Sequence, residues 1–112
     1  MSRTFKKDGQ DVVLTAGIAS RNYEAKTLTV ANAAEDYNTK VTGGLFAKIE
    51  TALYCEIRTN QPISVKINAT TNAAIDILAA DSPYIIDWAQ VENLFISNAS
   101  GNPATVKIVI AG

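Results

Sequence analysis

Cys55 is the single thiol of this chain, and no histidine accompanies it. A nucleophilic cysteine or serine needs a neighbouring base to take its proton, and imidazole is missing altogether. Cys55 also falls in an alternating apolar run with Leu53 and Ile57, so it reads as a small buried hydrophobe. Asp76, Asp81, Asp87 and Glu92 lie close enough in sequence to raise the question of paired carboxylates for hydrolysis. Their spacing marks no pair, and they read as turn and solvent-facing acids. One thiol without imidazole excludes a zinc or copper site of ordinary composition within one chain. The acidic and Asn side chains show no EF-hand-like spacing for calcium. Gly43-Gly44 lacks the Lys-Ser/Thr of a phosphate loop and reads as a bend or bulge. Asn68-Ala-Thr70 and Asn98-Ala-Ser100 spell glycosylation acceptors, but no signal segment is seen, so both read as turns. The expectation is a protein that is not an enzyme, with no cofactor and no metal.

The elements around these residues read as short strands. Ile63, Val65 and Ile67 alternate with Ser64, Lys66 and Asn68, and Ile75 and Ile77 flank Asp76. Tyr84-Ile85-Ile86 follows Pro83, Leu94 and Ile96 enclose Phe95, and Val106, Ile108 and Ile110 alternate with Lys107 and Val109. Period two is the mark of a strand with one buried face. The separators, such as Asn60-Gln61-Pro62, Asp81-Ser82-Pro83 and the run Asn98 to Pro103, carry the residues that favour chain reversal. Upstream, Thr27 to Val30 alternates, Asn32 to Asn38 is turn-rich, and 52–59 reads as a strand carrying Leu53, Cys55 and Ile57 inward. Residues 45–51 fit either a strand or a short helical turn. Parallel pairing needs long crossovers, for which there is no room. The prediction is an all-β fold: an antiparallel, jelly-roll-like β-sandwich of about eight strands spanning 11–112, with an N-terminal arm at 1–10.

With 112 residues the chain fits one domain, and ten basic against eleven acidic residues give a net charge of −1. A nucleic-acid binder normally carries a basic excess, so no nucleic-acid partner is expected. No apolar run approaches membrane-spanning length, and synthesis in a cytoplasm is expected. What remains is surface. Tyr54 and Phe95 fall on the polar sides of their strands, Trp88 falls in a loop, and exposed aromatics are candidate interface anchors. Phe5 offers the N-terminal arm an apolar anchor on another surface, beside the basic cluster Arg3, Lys6 and Lys7. Trp88, Tyr84 and Tyr54 beside polar side chains would also suit a carbohydrate-binding sandwich, an alternative from a different class.

The segment Leu53-Tyr-Cys-Glu-Ile-Arg-Thr-Asn-Gln-Pro-Ile-Ser-Val-Lys-Ile-Asn68 resembles a hairpin of small tailed-phage virion proteins, in which a Thr-Asn/Asp turn leads into an "ISVKIN"-like strand. Ser82 to Asp87, Val91 to Gly101 and Thr105 to Ile110 continue in the same order over roughly the last sixty residues. The resemblance implies a jelly-roll or related sandwich that serves as a capsid decoration (cement) protein, or as a tail, baseplate or adaptor subunit. It implies the major capsid protein or other virion subunits as partners, a homotrimer, and a place on the outer capsid surface after synthesis in a bacterial host. It carries over no functional residue, because the shared pattern is one of packing.

Overall fold

A computed structural model describes residues 22–112, together with the backbone of two short strands, β1 (Phe5–Lys7) and β2 (Gln10–Val12). These two pair antiparallel, with Phe5 opposite Val12, as a separate two-stranded sheet. Arg3, and the side chains of Phe5, Lys6 and Lys7, lie outside the described residues.

Eight further strands form two four-stranded antiparallel sheets. The first has β3 (Tyr23–Val30), β10 (Ala104–Ala111), β5 (Tyr54–Thr59) and β8 (Tyr84–Ile86), in that order across the sheet. The second has β4 (Tyr37–Asn38), β9 (Leu94–Ser97), β6 (Ile63–Ile67) and β7 (Ala74–Ile77). The pairs β3–β10, β4–β9, β5–β8 and β6–β7 nest inside one another. The chain is thus one long hairpin rolled into two layers, which is the jelly-roll order.

Alternation places the core. Val106, Ile108 and Ile110 of β10 are buried while Thr105 and Lys107 face out, and Cys55 and Ile57 of β5 are buried between exposed or half-buried neighbours. Val65, Ile77, Leu94 and Ile96 close the core from the second sheet.

Two readings of the sequence are corrected here. Residues 45–51 form neither a strand nor a helical turn but an irregular loop, in which Leu45, Phe46 and Ile49 are all buried. Consecutive residues 45 and 46 both turn inward because Phe46 takes the left-handed region, at φ 60°. That conformation costs about 1–2 kcal/mol, and burying the ring, at about 1.5–3 kcal/mol, offsets it. Upstream, Gly43 passes so close that an added Cβ would lie 2.7 Å from the Thr39 carbonyl oxygen. The second correction concerns Leu53, which is exposed. Ala52 is buried instead, bridging Val91 through two backbone hydrogen bonds of 2.7 and 2.8 Å. With Ala52 and Cys55 both inward, alternation breaks between them.

One carboxylate holds that loop to the sheet. Glu24 of β3 accepts the backbone N–H groups of Ala47 and Lys48 at 3.0 Å and of Ile49 at 3.3 Å. Burial pulls the Glu24 pKa upward, but those three donors and the Lys48 charge outweigh it, and the net shift is downward. A lowered carboxyl stabilises the fold above its ordinary value of 4.5, and that contribution is lost as pH falls. Glu24→Ala should cost about 1–2 kcal/mol, the range of charged hydrogen bonds reduced for partial exposure. Hydrogen exchange at the amides of 47–49 should accelerate, and unchanged exchange there would remove Glu24 as the anchor.

Asparagines lace the two ends of the sandwich. At one end Asn98, buried, donates its Nδ2 to the carbonyls of Val30 (3.0 Å), Ala31 (3.3 Å) and Asn102 (2.7 Å), and its Oδ1 accepts the Ser100 N–H. The Thr105 N–H donates to Asn60 Oδ1, and Ser82 Oγ bridges the backbone of Thr59 at the same end. At the other end Asn68 Oδ1 accepts the N–H groups of Glu92 and Asn93, its Nδ2 donates to the Gln90 carbonyl, and Asn93 Nδ2 donates to Asn38 Oδ1. The two sequons are therefore turn braces, as read from the sequence, and both amides are occupied.

Candidate functional site

Cys55 lies in the middle strands of the first sheet, opposite Ile110 on β10 and Ile86 on β8, with no exposed surface. Burial pushes its thiol up to about 12, so it stays protonated and inert. The sequence reading of Cys55 as a core hydrophobe is what the structure shows. Its raised pKa has a consequence for stability. The unfolded thiol ionises near 9 while the folded one holds its proton, so stability should fall as pH rises from about 9 toward 12. The slope from this group is about 1.4 kcal/mol per pH unit at most. Denaturation profiles of the native chain and of Cys55→Ala should diverge in slope above about pH 9, and parallel profiles would contradict it.

Among the described residues no three cysteine or carboxylate side chains gather as metal ligands would. Open depressions on the surface of the described residues include two lined by loops of the sandwich. The first, about 530 Å³, lies between the loop 32–36 and the turn after β9. Lys66 Nζ sits 3.1 Å from Asp36 Oδ1 there, and Ser97 Oγ accepts the Asp36 N–H at 3.0 Å. The Lys66–Asp36 contact is a charge pair without the alignment of a directed hydrogen bond. With Lys66 and Asp36 already paired, this hollow is a brace between a loop and the second sheet.

The second depression, about 500 Å³, is lined by Leu53, Tyr54, Asp87, Trp88, Ala89 and Gln90. It brings together two of the aromatic residues singled out from the sequence. Trp88 is 61 % exposed and Leu53 45 % exposed, whereas Tyr54 is half-buried. The Tyr54 hydroxyl donates to Glu56 Oε1 at 3.1 Å, and the other oxygen of Glu56 takes Arg58 Nε at 3.1 Å. Burial first, then the Glu56 charge and hydrogen bond, push the Tyr54 pKa up to about 12. The phenol therefore remains a neutral donor, and its ring is fixed as one wall of the hollow.

The other predicted contacts separate. Phe95 is half-buried on β9 of the second sheet, between Asn38 on β4 and Lys66 on β6, away from Tyr54 and Trp88. Tyr84 shares the inward side of β8 with Ile86 and packs against the core, so it is no part of an aromatic platform with Trp88. Leu53 was missed as a surface residue because its strand pattern predicted burial.

No family model matches the sequence, and no match is found among curated proteins.

Proposed function

We propose that the chain is a structural subunit of a tailed-phage virion, a capsid decoration protein that bridges neighbouring subunits of the shell. The observation that carries this reading is the placement of large apolar side chains at opposite ends of one small sandwich. Val41, 79 % exposed, stands on the loop between β4 and β5, and Leu78, 55 % exposed, stands on the turn between β7 and β8. Isolated exposed hydrophobics are ordinary, but a pair at opposite poles suits a molecule gripped from two sides. A subunit held in this way resists separation of its neighbours, because parting them also breaks its own contacts. A homotrimer would multiply the effect through effective concentration. The jelly-roll order and the resemblance of the last sixty residues support the same reading.

Gold-labelled antibody raised against the purified chain, applied to particles from the source that encodes it, tests this. Label spread over the shell is the expected result. Label confined to the tail moves the chain to a tail or baseplate role, and unlabelled particles overturn a virion role.

A further inference from the structure

The hollow between Tyr54 and Trp88 stands on a braced platform. Residues 87–90 leave β8 and are pinned at their far end by the Ala52–Val91 bridge. Asn68 Nδ2 holds the Gln90 carbonyl at 3.0 Å, and Ala89 packs against the core. On the facing side, Leu53 is tied by its N–H to the Ala111 carbonyl at 2.8 Å, and Tyr54 is fixed through Glu56. The backbone that carries the indole is thus fixed, so little main-chain freedom is lost when a ligand covers the ring.

We propose that this hollow binds a neutral saccharide. The assignment rests on chemistry. The C–H face of a pyranose ring is apolar and stacks on an indole, and Trp88 offers one largely in solvent. Sugar hydroxyls need acceptors and donors at the rim, and the Asp87 carboxylate and the Gln90 amide supply both. Among the described residues no hydrogen bond engages either side chain; the Gln90 group that Asn68 holds is its backbone carbonyl. The lining contains no cation, and its one charge is the negative Asp87, which disfavours phosphate and other anions. Its size, about 500 Å³, falls within the range of small-ligand sites. The proposal rests on a different observation from the capsid reading, and either can fail without the other.

Trp88 is the only tryptophan in the chain, so its fluorescence reports this site alone. The purified full chain is applied to an array of defined neutral oligosaccharides, and the binders are titrated against indole emission and by calorimetry. The expected result is saturable binding with a blue shift of the emission. Trp88→Ala, folded by circular dichroism, should lose affinity by tenfold or more, and Asp87→Asn should lose affinity without altering the fold. An array without saturable binders overturns the proposal, as does binding that survives Trp88→Ala. A blue shift that appears with rising protein concentration and no sugar also overturns it, because it would assign the hollow to a second copy of the chain.

Discussion

Asn98→Ala should lower the stability of the fold by about 3 kcal/mol, an unusually large loss for a residue in a turn. The estimate follows from what the amide holds. Its Nδ2 serves the carbonyls of Val30, Ala31 and Asn102, and its Oδ1 takes the Ser100 N–H. The Asn98 backbone adds two more ties, donating to the Ala34 carbonyl and accepting the Ala33 N–H, and the substitution leaves these intact. Removing one partner of a buried hydrogen bond costs about 1–3 kcal/mol for each group left unsatisfied. The Val30 bond is fully buried, whereas water can reach part of the others, which sets the total near the upper end for one such group. Asn98→Asp should give no rescue, because it replaces the two N–H donors with a carboxylate facing three carbonyl oxygens. Urea denaturation with an unchanged m-value reads the difference, and a loss below about 1 kcal/mol would show that water substitutes for the brace.

The second large effect lies in the core. Ile108 occupies the inward side of β10, between Lys26 of β3 and Ile57 of β5 in register, and no part of it is exposed. Ile108→Ala should cost about 3–4 kcal/mol, the transfer of the lost methyl groups plus the cavity left among rigid neighbours. Its neighbour Lys107 faces outward on the same strand, and Lys107→Ala should change stability by less than about 0.5 kcal/mol. A comparable loss at both positions would contradict the alternation on which the sandwich is built.

Much of this architecture was legible in the sequence for the reason that these two residues illustrate. Wherever a strand buries one face fully, as in β9 and β10, period two is written in its side chains. The two-residue β4 was not legible. Tyr37 and Asn38 pair with Ile96 and Phe95 because the rolled hairpin brings them there, and their local composition is that of a turn. Residues 45–51 misled because three apolar side chains that plug one end of the core happened to fall at spacings compatible with regular structure. The hollow beside Trp88 was half legible. Tyr54 and Trp88 each stood out as aromatic residues outside an apolar pattern, but their meeting depends on the bridge between Ala52 and Val91, which no local pattern records. Asn68 and Asn98 were read as turn formers, and Asn93 was not singled out. Their braces reach across to residues distant in the chain, and only the tertiary arrangement supplies those partners.

The nested pairing also governs how the molecule can be born. β10 emerges from the ribosome after the other described strands, yet it sits between β3 and β5. Until it arrives, both of those strands wait with an open edge and an uncovered row of peptide groups, the kind of edge that recruits stray chains. The innermost hairpin, β6–β7, can close early, but the outermost rungs join Tyr23 to Ala111 and can form only once β10 has been made. Pairings between such remote residues make maturation slow. Yield in a cell should therefore depend on how well the unfinished chain is shielded, more than on the stability of the finished one.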